Sequence, residues 1–174
     1  MSERASESSG LSERASESSA LSGPPVPLGT ELELPEAADT EALGERIADG
    51  LGAGDLLVLS GPLGAGKTVF VRGLARGLGV QGPITSPTFV IAREHRPLPG
   101  GAGVPLVHVD ADRLGGAAEL DDLDLDTDLA EAVVAVEWGE GVVERLAERH
   151  LLVRLGRRPD DVRVATVTWV ESTR

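Results

Sequence analysis

The sequence predicts an α/β domain built as a three-layer αβα sandwich around a mixed central sheet. Three observations support this prediction. Short apolar runs typical of buried strands alternate with amphipathic helical segments, and the chain ends in two strand-like stretches that suit antiparallel pairing. A glycine-rich segment also separates one of these strands from the helix that follows it. The 174 residues suffice for one domain with a core of its own.

The N-terminal segment, residues 1–29, is predicted to be a disordered tail and linker. The octapeptide Ser-Glu-Arg-Ala-Ser-Glu-Ser-Ser occurs at 2–9 and again at 12–19. Such a polar segment buries too little apolar surface to offset the entropy lost on ordering. The folded domain is therefore predicted to span residues 30–174.

The first elements of the domain are an edge strand and a helix. Residues 31–34 alternate polar and apolar side chains, as half-buried strands do. Asp39 or Thr40 is predicted to cap a helix whose apolar residues recur every four positions from Leu43 to Leu51.

The central motif is Gly61-Pro62-Leu63-Gly64-Ala65-Gly66-Lys67-Thr68, which fits G-x-x-x-x-G-K-[ST], the phosphate-binding P-loop of NTPases. An apolar strand at 55–60 precedes it, and a helix ending at Gly79 follows, which is the context this motif requires. Lys67 is predicted to reach the β- and γ-phosphates and Thr68 to bind Mg²⁺. The expected cofactors are a nucleoside triphosphate, which the family resemblance given below implies to be ATP, and Mg²⁺. The predicted nucleotide-binding residues of this segment are Gly61, Leu63, Gly64, Ala65, Gly66, Lys67, Thr68 and Val69.

A β-hairpin is predicted after the nucleotide helix. The Ser86-Pro87 pair forces an extended or turned backbone, and a strand at 88–92 follows it. A loop rich in proline and glycine at 97–105 leads to a second strand at 105–110.

The acidic segment at 115–131 is predicted to be a solvated face. Its alternating aspartates suggest a calcium-binding loop, but Thr127 and Val133 occupy the positions of the required glycine and glutamate. Beyond it the sequence predicts a buried strand at 132–136 and a short helix at 142–148. Strands at 150–155 and 163–170 then complete the mixed sheet.

Four further residues are candidates for the chemistry. Asp110 and Glu137 lie at the ends of predicted strands, where α/β sheets bind ligands, and either can serve the metal directly or through water. The alternative is an acid that caps a helix or faces solvent. Trp138 is either a wall for the nucleotide base or a half-buried core residue. Thr88 is either a sensor of the γ-phosphate or a turn residue.

Other kinds of site find little support. His95, His108 and His150 lie far apart in the sequence and are predicted to be structural or surface residues. The chain has no cysteine, which excludes disulfides and thiolate metal sites. Lys67 is the only lysine, so the N-K-x-D motif that reads guanine is missing.

The formal net charge is −13, which excludes nucleic-acid binding through bulk electrostatics. Any contact with RNA is therefore expected to be indirect, through a partner. No apolar run is long enough to span a membrane or looks like a secretory signal. We expect a soluble, cytoplasmic protein.

Four motifs together resemble the bacterial TsaE (YjeE) family, small P-loop ATPases needed to make threonylcarbamoyladenosine in tRNA. They are G-P-L-G-A-G-K-T, S-P-T-F, H-V-D-A-D-R-L and V-E-W-G-E, and the resemblance extends from about residue 32 to residue 170. It implies a weak ATPase that acts with TsaD-type and TsaB-type proteins, with tRNA handled by those partners. The free protein is expected to be a monomer.

The resemblance also implies roles for single residues. Thr88 matches a switch-like loop near the γ-phosphate, Asp110 an acid of catalysis or of the metal shell, and Glu137 a Mg²⁺-associated glutamate. Trp138 matches a tryptophan that stacks on the nucleotide. Asp112 departs from the family, which has tyrosine at this position.

Two alternative functions remain open at this stage. A small-molecule kinase would use the same P-loop, but such enzymes usually carry an arginine-rich lid, and Arg93 and Arg96 are the nearest approach to one. The other alternative is a nucleotide-gated assembly factor in which bound ATP holds the switch loop with negligible hydrolysis.

Overall fold

The computed structural model describes residues 26–85, 92–111, 125–138, 143 and 146–171. Within these ranges the chain forms one seven-stranded sheet with helices packed against it. None of the helices in the described part is long and apolar enough to cross a membrane. The elements in chain order are β1 (Leu32–Leu34), α1 (Ala37–Ala48), β2 (Leu56–Ser60), α2 (Lys67–Leu78), β3 (Ala92–His95), β4 (Leu106–Asp110), α3 (Leu125–Glu131), β5 (Val133–Glu137), β6 (Arg149–Arg157) and β7 (Arg163–Glu171).

The sheet is mixed, as the sequence predicts. Its strand order is β1-β7-β6-β2-β5-β4-β3. The four central strands, β6, β2, β5 and β4, run parallel to one another. The outer pairs are antiparallel, and they include the predicted hairpins β3–β4 and β6–β7. The α/β fold with a mixed sheet is therefore confirmed.

Apolar side chains cover both faces of the sheet. Leu57 and Leu59 of β2 belong to a cluster that includes α1 and α2, whereas Leu56 and Val58 belong to a second cluster that includes α3. Neighbouring residues of a strand point to opposite faces, so one apolar run contributes to both cores. Burial on both faces explains why the parallel strands lack a polar alternation.

The start of α1 corrects the sequence prediction. Glu36 is the N-cap, and Asp39 lies three residues into the helix, where its carboxylate accepts a hydrogen bond of 2.8 Å from the Glu36 N–H. This reciprocal arrangement is a capping box. Thr40, the other predicted cap, is buried within the helix instead. The sequence pattern does not determine which residue is the N-cap, because several polar residues precede Leu43, the first of the recurring apolar residues.

The folded part also begins earlier than residue 30. Val26 is buried in the core, and the Gly29 N–H donates a hydrogen bond of 2.8 Å to the Val167 carbonyl. The last residues of the predicted linker therefore pack on β7. The predicted tail up to residue 25, the strand residues 88–91 and residues 142, 144 and 145 of the predicted short helix lie outside the described residues.

Glycines bring α1 and α2 into close contact. A Cβ atom built on Gly73 would lie 1.8 Å from the Glu41 carbonyl oxygen, and one on Gly44 would lie 2.3 Å from the Phe70 carbonyl oxygen. Both distances are far below van der Waals contact, so neither position accepts a larger residue without moving a helix. This contact fixes α2, the helix of the P-loop, against α1.

We expect Gly73→Ala to lower the free energy of unfolding by about 3 kcal/mol, because the added methyl group forces α1 and α2 apart. Urea unfolding followed by circular dichroism measures the change. Gly52→Ala is the matched control, since a Cβ atom there meets nothing within 4 Å. If both variants unfold at the same urea concentration, the close helix contact does not hold the fold.

Candidate nucleotide-binding site

The P-loop connects β2 to α2 with three glycines in the left-handed region of backbone space. Gly61 has φ 149°, Gly64 has φ 80°, and Gly66, the N-cap of α2, has φ 106°. Gly61 is further constrained because a Cβ atom there would lie 2.2 Å from the Leu155 carbonyl oxygen. Within the loop, the Ala65 N–H donates a hydrogen bond of 3.1 Å to the Pro62 carbonyl.

The loop delivers the N-terminus of α2 to a cavity. The N–H groups of its first turn, beginning at Lys67, have no acceptor within the helix, so they suit an anion. The cavity has a volume of about 580 Å³, a common size for small-molecule sites. It is lined by Leu63, Gly64, Gly66, Lys67, Thr68, Val69, Asp110, Glu137, Trp138 and Arg163. All but Arg163 are site residues that the sequence predicts.

The Lys67 side chain folds back on its own loop. Its Nζ donates hydrogen bonds of 2.6 Å to the Gly61 carbonyl and 3.0 Å to the Pro62 carbonyl. Burial lowers the pKa of the Lys67 ammonium, and the carboxylates of Glu137 and Asp110 oppose the shift. The only lysine of the chain thus lies between the loop and the acidic pair.

Trp138 lies against this lysine. The Lys67 Nζ is 4.0 Å from the centroid of the indole ring, a cation–π contact. Trp138 itself has a positive φ of 60° and remains 40% exposed. The contact puts the ring beside the residue expected to bind the terminal phosphates. Stacking of the ring on a nucleotide base stays a prediction.

Asp110 and Glu137 are partners across the β4–β5 ladder, each at the last position of its strand. Both point toward the face of the sheet on which α2 packs. Glu137 lies four residues after Val133 on β5, Asp110 lies four residues after Leu106 on β4, and Val133 and Leu106 belong to the cluster that includes α1 and α2. Together with the Thr68 hydroxyl they form a set of hard oxygen donors, which fits Mg²⁺.

The donor set does not form a metal cage made of protein alone. Among the described residues no three His, Cys, Asp or Glu side chains converge on one point. Mg²⁺ typically takes one or two carboxylates and completes its shell with water and phosphate oxygens. The geometry therefore fits a metal that arrives with a nucleotide.

His108, which the sequence predicts to be a structural or surface residue, contacts a residue of the site. Its Nε2 lies 2.5 Å from Glu137 Oε2, and its side chain is fully buried. Because a carboxylate only accepts hydrogen bonds, the imidazole donates from Nε2. This bond fixes the orientation of Glu137. The signal was present in the sequence, since His108 lies two residues before Asp110 and so shares its face of the strand.

The other two histidines are buried outside this cavity. His95 Nδ1 lies 2.9 Å from the Gln81 carbonyl, and His150 is 2% exposed. The predicted switch loop at 86–89, with Thr88, lies outside the described residues, as does Asp112. The roles given to those residues stay predictions.

Comparison with known proteins now bears on the site. The family model described as "Threonylcarbamoyl adenosine biosynthesis protein TsaE" matches residues 34–165, which include every described residue of the cavity. The chain belongs to the TsaE family. The TsaE resemblance seen in the four motifs is thereby confirmed.

Individual TsaE relatives align over most of the chain. A protein of Mycobacterium tuberculosis is 55% identical over 151 residues, which are 83% of this chain and 89% of the relative. One of Streptomyces coelicolor is 59% identical over 131 residues, covering 72% of this chain and 87% of the relative. Each is named tRNA threonylcarbamoyladenosine biosynthesis protein TsaE.

A solved structure supports the fold. The crystal structure of Bacillus subtilis YdiB superposes with a TM-score of 0.61 at 31% sequence identity. The superposition covers 83% of this chain and 86% of YdiB. The α/β sheet described above is thus shared with an experimental structure.

The hydrogen bond between His108 and Glu137 is expected to stabilise the fold as well as the site. A double-mutant cycle of His108→Gln and Glu137→Gln should give a coupling energy of about 2 kcal/mol, because the bond is buried and charge-assisted. Urea unfolding of the four proteins measures it.

The exposed ion pair of Arg158 and Glu33, at 2.7 Å, is the control. Its cycle of Gln substitutions should give less than about 1 kcal/mol, since solvent screens the charges. A coupling for His108 and Glu137 no larger than this would contradict the positioning role of His108.

Proposed function

We propose that this chain binds and hydrolyses Mg²⁺·ATP as a component of the machinery that makes threonylcarbamoyladenosine in tRNA. The observation that carries the proposal is the convergence of Lys67, Asp110 and Glu137 at a P-loop. Membership of the TsaE family supplies the pathway, since its relatives are named for biosynthesis of this tRNA modification.

Each site residue takes a distinct part in this proposal. Lys67 exchanges its bonds to loop carbonyls for the β- and γ-phosphates of the nucleotide. The Thr68 hydroxyl and Glu137 hold Mg²⁺, which when bound neutralises the charge that develops on the phosphates. Glu137 suits the metal because His108 fixes its carboxylate, and Mg²⁺ requires near-ideal geometry. Asp110 lies beside Glu137 and orients the attacking water or completes the metal shell.

The proposed output of hydrolysis lies in protein partners of the TsaD and TsaB type. Two apolar side chains at the mouth of the cavity support a protein partner: Leu63 is 93% exposed on the tip of the P-loop, and Trp138 is 40% exposed. The charge of −13 disfavours direct contact with tRNA, which the partners would bind. We propose that the protein works in the cytoplasm and is a monomer when free.

The kinase alternative receives no support from the site. Arg93 and Arg96, the candidates for an arginine lid, line a separate cavity with Gln81 and Pro83. The alternative of a nucleotide-gated assembly factor uses the same cavity and differs only in the need for hydrolysis, so it is left to experiment.

Lys67→Met should weaken binding of Mg²⁺·ADP by about 100-fold, because the ammonium forms charge-assisted hydrogen bonds to phosphate. Isothermal titration calorimetry measures the affinity. Arg72→Met is the control, since Arg72 is an exposed cation on the same helix. Equal affinities of the two variants would rule out the phosphate-binding role of Lys67.

Glu137→Gln should lower ATP turnover measured with TsaD-type and TsaB-type partners by about 100-fold, since it removes a charge from the proposed metal shell. ATP binding should stay within a few-fold of wild type. Glu171→Gln, an exposed change at the end of β7, is the control.

Two results would revise the proposal. Unchanged partner-stimulated turnover in Glu137→Gln would show that the role of Glu137 is wrong. Full formation of modified tRNA with a variant that binds ATP but no longer splits it would favour the assembly factor instead.

A further inference from the structure

Arg163 lines one wall of the cavity. No sequence motif includes it, and the proposed chemistry gives it no role. It is the first residue of β7, its side chain is half-buried, and it lines the cavity together with the P-loop. Ala165 and Val167, two and four residues later, belong to the cluster under α1 and α2. Arg163 therefore points to the same face of the sheet as the P-loop.

The position of Arg163 is opposite to that of the acidic pair. In the strand order β7-β6-β2-β5-β4, Asp110 and Glu137 end the strands on one side of β2. Arg163 lies on the other side, with β6 between its strand and β2. Its Cδ would be 3.9 Å from a Cβ atom on Gly66, so the side chain runs along the turn from the P-loop into α2.

The guanidinium of Arg163 lacks an acidic partner within the described residues. Its Nε is buried and forms no hydrogen bond there. The arginines nearby behave differently: Arg158 pairs with Asp160 and Glu33, and Arg157 lies 3.7 Å from Asp161. In a chain with 29 acidic and 16 basic residues, an unpaired arginine at a cavity wall indicates that its acceptor is a ligand.

We propose that Arg163 binds the part of the nucleotide beyond the β-phosphate, through acceptors of the α-phosphate or of the nucleoside. This inference rests on the proposed nucleotide binding. Lys67, which lines the cavity together with Glu137 and Asp110, marks the end that takes the terminal phosphates. A nucleotide anchored there must extend across the P-loop toward the opposite wall. Among the described residues that line the cavity, Arg163 is the charged donor on that wall.

The test compares two ligands in calorimetric titrations with Mg²⁺: ADP, and pyrophosphate, which lacks the α-phosphate and the nucleoside. Arg163→Met removes the guanidinium and keeps an apolar stem beside Gly66. The matched control is Arg154→Met. Arg154 is an exposed arginine of β6, and it points away from the cavity face because Leu152, two residues earlier, belongs to the cluster on the other face. We expect Arg163→Met to weaken ADP roughly 10-fold to 100-fold, as loss of a charged hydrogen bond does. Pyrophosphate should bind as in wild type, which also shows that the P-loop stays folded.

Arg163→Lys identifies the acceptor. Recovery of ADP affinity assigns the contact to the charge of the α-phosphate, whereas no recovery assigns it to the nucleoside, and both results support the proposal. Two results overturn it: ADP binding in Arg163→Met equal to that of Arg154→Met, or an equal loss for ADP and pyrophosphate. If wild-type protein binds neither ligand, the proposed nucleotide binding fails as well.

Discussion

The parallel pairing of β5 with both β2 and β4 is the constraint on which the site depends. Its register sets Glu137 opposite Leu59 on one side and opposite Asp110 on the other. The P-loop follows β2 at this same edge of the sheet, so Lys67 lines one cavity with both carboxylates. A slip of one residue would turn Glu137 to the other face and separate it from Lys67.

Two further contacts make this arrangement rigid. The close glycine contact between α1 and α2 fixes the direction of the P-loop helix, and thus the position of its free N–H groups. The buried bond from His108 fixes the Glu137 carboxylate. A fixed arrangement favours phosphate transfer, because the hydrogen-bond donors are already in place when negative charge develops on the phosphate in the transition state. The Trp138 side chain is partly exposed, and its ring lies over the Lys67 ammonium.

The local parts of the site could be predicted from sequence, and the parts made by strand pairing could not. The glycine spacing predicts the P-loop because each positive φ angle that the loop requires is adopted by one glycine of the motif. Asp110 and Glu137 can be predicted because each ends an apolar strand. The bond from His108 to Glu137 needs β4 beside β5 in one register, which no local pattern contains. Arg163 lies near the P-loop because β7 pairs with β6. The two segments are far apart in the sequence, so no local pattern predicts this proximity.

Lys67, at this edge of the sheet, is proposed to bind nucleotide phosphate. Since Lys67 is the only lysine, protein labelled with ¹³Cε-lysine gives one lysine signal in a carbon NMR spectrum. Titration with Mg²⁺·ADP should shift this signal and saturate at one equivalent, as the ammonium leaves the Gly61 and Pro62 carbonyls for phosphate. A signal that stays unchanged while calorimetry records ADP binding would contradict the account.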